Sequence, residues 1–174
     1  MTLTITALLL AICIMAPGVV LLLSDKEKAL SIPRERIIGS LLTLASFYWA
    51  GSQGYTLLKE DFTIIAKSLP YILPVLALAS CFLMDYLFTR GLGFVICLLG
   101  THYLNLLFAA NPSARQLGSL AAYVGIIVGM FLIGHPWMLR KGIEMCRNEA
   151  KWKKILPAAF AITAILIVMI PLNK

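Results

Sequence analysis

Apolar residues in this chain neither alternate nor form narrow helical stripes. They come in long runs, and charges collect in the short segments between them. A run of about 20 residues, wound as a helix rising 1.5 Å per residue, matches the roughly 30 Å hydrocarbon core of a bilayer. Such runs lie at about residues 3–23, 37–58, 68–88, 91–110, 116–139 and 155–172. The predicted fold is an all-α integral membrane protein with about six transmembrane helices and short loops. Residues 1–174 form a single transmembrane domain.

Punctuation agrees with this division. Pro17-Gly18 predicts a bend late in the first run, tolerable where neighbouring helices satisfy the freed carbonyls. Pro70 and Pro74 fall in the first turns of the third, and Pro157 in the first turn of the sixth, where a missing N–H costs little. KEDFTIIAK returns the chain between the second and third runs, and NPSAR reads as a turn after the fourth. The first run opens MTLTIT, without positive charge, and no small-x-small site precedes the charges at 25–28. It reads as a retained span rather than a cleaved leader.

One connection has a different pattern. In RKGIEMCRNEAKWKK (140–154), Ile143, Cys146 and Ala150 recur at i, i+3 and i+7, while Arg140, Lys141, Arg147, Lys151 and Lys154 point mostly elsewhere. This predicts a basic amphipathic helix on the membrane surface between the fifth and sixth spans, with Trp152 at headgroup level.

Composition carries the argument from helices to lipid. The chain is 60% apolar and 13% charged, with mean hydropathy +0.90. A water-soluble protein of 174 residues cannot hide that much apolar surface in one core. The net charge of +7 does not indicate nucleic acid, because the basic residues lie between spans rather than on one water-facing patch. There they set orientation and meet anionic lipid headgroups, above all along 140–154. The first, third and fifth loops carry Lys26, Lys28, Arg34, Arg36, Arg90, Arg140, Lys141, Arg147, Lys151, Lys153 and Lys154. The other side has Lys59, Lys67, Arg115 and Lys174. Eleven against four places the odd loops in the cytoplasm and both termini outside a cell membrane.

Polar residues inside spans are costly and so become candidates for function. Thr101, His102 and Asn105 fall within about 100° of arc on the fourth helix. Ser46 and Gln53 belong to a small and polar stripe on the second, with Gly39, Thr43 and Ala50. These five are the expected ligand-binding positions, with interhelical hydrogen bonding as their structural alternative. Gly118, Ala122, Gly125 and Gly129 give the fifth helix a small-residue face for close packing, on this chain or on a partner. Asp85 and His135 stand at cytoplasmic ends, Asp85 five residues before Arg90.

Several chemistries lack their residues. The two histidines differ in depth, which disfavours a bis-histidine haem. No H-E-x-x-H occurs, no acid stands at the depth of His102, and no glycine-rich loop continues into GK[ST]. The four cysteines form no metal-like spacing and read as packing residues. Neither cofactor nor metal is expected, and enzyme activity is disfavoured.

Two functions remain. The first is a small transporter, channel or solute-binding membrane subunit for a neutral or weakly polar solute. The second is a non-catalytic assembly or accessory subunit of a larger membrane complex. A homo-oligomer or a partner membrane subunit is expected in either case. Alanine at His102 and Asn105 should abolish activity under the first reading and only loosen folding under the second. A reporter fused after Lys174 that works only outside the cytoplasm should be active, and cytoplasmic activity there would overturn the six-span count.

Overall fold

The computed structural model describes residues 2–23, 27–59, 62–110, 112 and 114–172. Lys26 and Lys174 of the charge count, and Asn111 and Ser113 of the NPSAR turn, lie outside the described residues. Among the described residues the chain is helical, with no strand. It forms α1 (Leu3–Leu22), two 3-10 turns (Glu27–Leu30 and Ile32–Arg34), α2 (Arg36–Leu58), α3 (Thr63–Leu83) and α4 (Leu87–Ala110). α5 (Arg115–Gly134), α6 (Trp137–Asn148) and α7 (Ala150–Leu172) follow. Five of these, α1, α3, α4, α5 and α7, are long and apolar enough to cross a membrane. α2 is just as long, 23 residues, but more polar.

Several boundaries differ from those expected, for local reasons. α3 begins at Thr63 rather than near 68 and ends at Leu83 rather than 88, so Pro70 and Pro74 lie inside it. Proline at a helix start is the rule in water, but a helix among apolar neighbours accommodates interior prolines. The first residues of α4 come from the expected end of the third run: Leu87 and Thr89 are buried, and Thr89 Oγ1 donates to the Pro33 carbonyl at 3.3 Å. α5 stops at Gly134, five residues early, because His135 precedes Pro136 and is pushed off helical geometry, at φ −127° and ψ 62°.

The same break creates α6, twelve residues set between two longer helices. It covers 137–148 instead of 140–154. Glu149 is extended, and Ala150, Lys151, Lys153 and Lys154 belong to the first turns of α7. Leu139, Ile143 and Cys146 form the buried face of α6. Ile143 and Cys146 pack with Val20, Leu21 and Ala29, and half-buried Trp152 joins them. Burial pushes the Cys146 thiol up, only partly opposed by Lys153, so it stays protonated.

α4 is the central helix. Its buried residues Leu92, Ile96, Leu99, Tyr103 and Leu107 share one core with Leu10 and Ile14 of α1, Ala121 and Ala122 of α5, and Ile167 and Ile170 of α7. α2 lies on the other side of α4, and α3 packs chiefly on α2. α3 is therefore the outermost helix, buried only at Ala66, Ala77 and Ser80. α1 runs unbroken through Pro17, and Gly18 lets Phe160 of α7 lie against it.

Close backbone approach holds α4 to both neighbours. A Cβ on Gly93 would lie 2.6 Å from the Gly129 carbonyl oxygen, and one on Gly129 would lie 2.9 Å from the Gly93 oxygen. A Cβ on Gly39 of α2 would meet the Phe88 nitrogen at 2.5 Å. The small-residue face of α5 is used within the chain: Gly118 faces Tyr103, Leu107 and Ile170, and Gly125 faces Ile14.

At one end of the bundle the connections α1–α2, α3–α4 and α5–α6 come together, tied by Thr89 to Pro33 and by Arg34 Nη2 donating to the Tyr86 hydroxyl at 3.1 Å. Tyr86 has φ 58°, a left-handed backbone that disfavours a side chain by about 1–2 kcal/mol.

Gly93→Val should destabilise the protein by about 1–3 kcal/mol through overpacking, read as a fall of several degrees in melting temperature in detergent. Gly134→Ala, whose added Cβ meets nothing within 4 Å, should leave that temperature unchanged. Equal behaviour of the two variants would refute the close approach of α4 and α5.

Candidate functional site

α2 has two working faces. Gly39, Leu42, Thr43, Ser46 and Trp49 turn toward α4, where Gly91 would place a Cβ 3.0 Å from Leu42 Cβ and from Thr43 Oγ1. Thr43 Oγ1 is buried there without a hydrogen-bond partner. Ser46 is also buried, and its hydroxyl donates to the Leu42 carbonyl of its own helix at 2.7 Å. Further along this seam the Trp49 ring meets the His102 ring edge-on, centroids 5.8 Å apart, and Phe47 meets Phe94 at 6.0 Å.

The five expected ligand positions therefore separate. Ser46 and half-buried His102 belong to the α2–α4 seam. Gln53, Thr101 and Asn105 are exposed, and Thr101 Oγ1 donates back to the Cys97 carbonyl at 2.9 Å. A hydroxyl returned to its own helix is satisfied without a partner, so neither Ser46 nor Thr101 needs a ligand.

The second face of α2, with α3, forms a groove that none of the five lines. Its volume is about 890 Å3, and it is bounded by Leu44, Phe47, Tyr48, Gly51, Ser52, Tyr55 and Thr56 of α2 and by Leu69, Pro70, Leu73, Pro74 and Ala77 of α3. At Gly51 the Leu73 side chain lies against bare backbone, where an added Cβ would run into it. Pro74 has no N–H to give to the carbonyl of Pro70, so that wall residue keeps an acceptor without its usual intrahelical donor. Ser52 Oγ donates to the Trp49 carbonyl and Thr56 Oγ1 to the Ser52 carbonyl, which leaves each hydroxyl oxygen able to accept. The lining is apolar with a few hydroxyl groups and carries no charged side chain.

Comparison with protein-family models, curated proteins and solved structures finds no match. The arrangement must be read from its own chemistry.

Asp85 stands exposed in the α3–α4 turn and makes no ion pair with Arg90 or any other described residue. His135 is exposed at the break after α5, its ring 6.1 Å from Trp137 and 6.2 Å from Phe131. His102 lies in the middle of α4 and His135 beyond the end of α5, so no ligand could bridge them at one depth. Among the described residues no three His, Cys, Asp or Glu side chains gather as a metal site.

The groove residues Tyr48, Ser52, Tyr55 and Thr56 escaped the sequence reading. They do leave a signal, since hydroxyl-bearing residues at i, i+4, i+7 and i+8 share one side of a helix. That side is turned away from the small-residue stripe at 39, 43, 46, 50 and 53.

Proposed function

We propose that this chain is a six-span membrane protein that takes a neutral or weakly polar solute into the groove between α2 and α3, as a transporter, channel or solute-binding membrane subunit. The groove itself carries the reading. An uncharged cleft of about 890 Å3, open on one side and lined by aliphatic, proline and tyrosine side chains with a few hydroxyls, suits an apolar-bodied solute with one or two polar groups. A charged solute would find no counter-charge there.

The same reading makes α2 the sixth span. Its 23 residues rise about 34 Å, enough for a bilayer. Its extra polarity falls largely on the groove and on the seam with α4, so it need not face lipid. In this orientation the end where Arg34, Arg90 and Arg140 gather is cytoplasmic, α6 is the basic surface helix, and anionic headgroups meet its charges. The bilayer is the cell membrane, and both termini are outside. An accessory subunit docking through the small-residue face of α5 has less support, because Gly118, Gly125 and Gly129 are packed within the chain.

The test uses a neutral trifluoromethyl aryl diazirine, photolysed with the full chain in phosphatidylcholine vesicles. Labelling should concentrate on residues 44–56 and 69–77, saturate with a non-photoactive analogue, and fall several-fold in Ser52→Phe, which fills the groove. Unsaturable labelling spread evenly over all outward helix faces, indifferent to Ser52→Phe, would sink the proposal. A native-membrane particle holding a different protein would instead favour the accessory role.

A further inference from the structure

The end of the bundle remote from the groove holds a second arrangement. Arg34 closes the 3-10 turn before α2, Tyr86 stands in the α3–α4 turn, and Arg140 lies in the first turns of α6. Arg34 Nη2 donates to the Tyr86 hydroxyl at 3.1 Å, with its guanidinium carbon 4.9 Å from the centroid of the Tyr86 ring. Arg140 acts on the same phenol electrostatically, second to Arg34. Two cations from distant parts of the chain thus act on one phenol, Arg34 through a direct hydrogen bond.

Their counter-charge is incomplete. Arg140 Nε pairs with Glu144 at 3.1 Å, an exposed pair one helical turn apart. Arg34 has no carboxylate partner among the described residues, although Glu35 and Asp85 are adjacent in sequence to the cluster and exposed. One turn into α4, Arg90 keeps its Nε buried without a hydrogen-bond partner. Like charges at this separation repel, and an anion between them relieves the repulsion. The guanidinium fork fits the paired oxygens of a phosphate. The pull of Arg34 first, and of Arg140 second, holds the Tyr86 phenol below its ordinary value, so the field at that oxygen favours negative charge. Tyr86 itself has a left-handed backbone, which persists only where the surroundings hold it.

We propose that Arg34, Tyr86 and Arg140 form a site for one phosphate group, supplied by an anionic lipid headgroup at the membrane surface or by free phosphate. Phosphate oxygens accept from both guanidiniums, and the Tyr86 hydroxyl, released as an acceptor, donates its own proton to a third. The site rests on the membrane reading above but not on the groove.

Native mass spectrometry of the full chain in neutral detergent tests it, with phosphatidic acid, phosphatidylcholine and inorganic phosphate as probes. The native chain should bind one phosphatidic acid tightly. Arg34→Gln with Arg140→Gln should weaken that binding by about tenfold or more, and Tyr86→Phe should weaken it less. Arg147→Gln with Lys151→Gln removes the same charge from the same surface and should weaken binding far less than the Arg34/Arg140 pair does. Inorganic phosphate that binds alone, and is lost in the Arg34/Arg140 variant, assigns the site to the free anion; lipid binding that millimolar phosphate does not displace assigns it to the headgroup. Equal weakening by the two charge-matched pairs would mean diffuse attraction, and unchanged binding would mean a plain staple between loops; either overturns the site. Should the glutamine pair fail to fold, Arg34→Lys with Arg140→Lys keeps the charge, loses the fork, and should still weaken binding. Flotation of the native chain with phosphatidylcholine vesicles separates the two claims: a chain that does not float refutes the membrane reading, whereas one that floats without the predicted lipid selectivity refutes only this site.

Discussion

The fold depends on backbone meeting backbone at α4. Gly93 and Gly129 sit under each other's carbonyl oxygens, and Gly39 sits against the nitrogen of Phe88. In lipid, hydrophobic burial supplies little drive for one apolar helix to leave the tails and join another. What remains is van der Waals contact and weak polar contact, both of which fall off steeply with distance. Glycines opposite each other shorten that distance to a minimum. The rest of the architecture is arranged around these contacts: α5 on one side of α4, α2 on the other, and α3 reached only through α2.

That layering explains where the groove lies. At Gly93 and Gly129 the α4 and α5 backbones lie in close contact. The groove lies instead along the α2–α3 contact, lined by Tyr48, Tyr55 and the interior prolines Pro70 and Pro74. A helix that packs on one neighbour alone also yields more readily than one held on three sides. The most loosely held helix therefore forms a wall of the groove, whereas the central helix is packed on several sides.

That the chain is all helical, with several helices long and apolar enough for a bilayer, was legible because it follows from short-range pattern: run length against bilayer thickness. The ends of α3 and α5 were not. Pro70 and Pro74 read as a helix start because the reading carried over the aqueous preference for proline at helix N-termini. His135-Pro136 was read through because the apolar run continues past it to Leu139. The ligand stripe was only partly legible. Periodicity finds which residues share a helix face, as it did for Thr101, His102 and Asn105, but it does not say what that face meets. Only the packing of α2 between α4 and α3 distinguishes the Ser46 side from the Tyr48 side. The Arg34–Tyr86 contact was wholly out of reach, since it joins two connections more than fifty residues apart.

One contact shows how such long-range detail still obeys local chemistry. Ile167 of α7 lies four residues before Pro171, which has no N–H for its carbonyl. A bare carbonyl at that depth would cost several kcal/mol in hydrocarbon. The buried Tyr103 hydroxyl crosses from α4 and donates to that oxygen at 3.3 Å, while Gly118 of α5 leaves room for it. Proline, tyrosine and glycine, on three helices, each look like an unremarkable residue of an apolar run. Each is there because the other two are: the proline creates an acceptor, the tyrosine supplies the donor, and the glycine admits the ring. Satisfying every backbone group in a medium without water thus couples α4, α5 and α7 more specifically than apolar matching alone could.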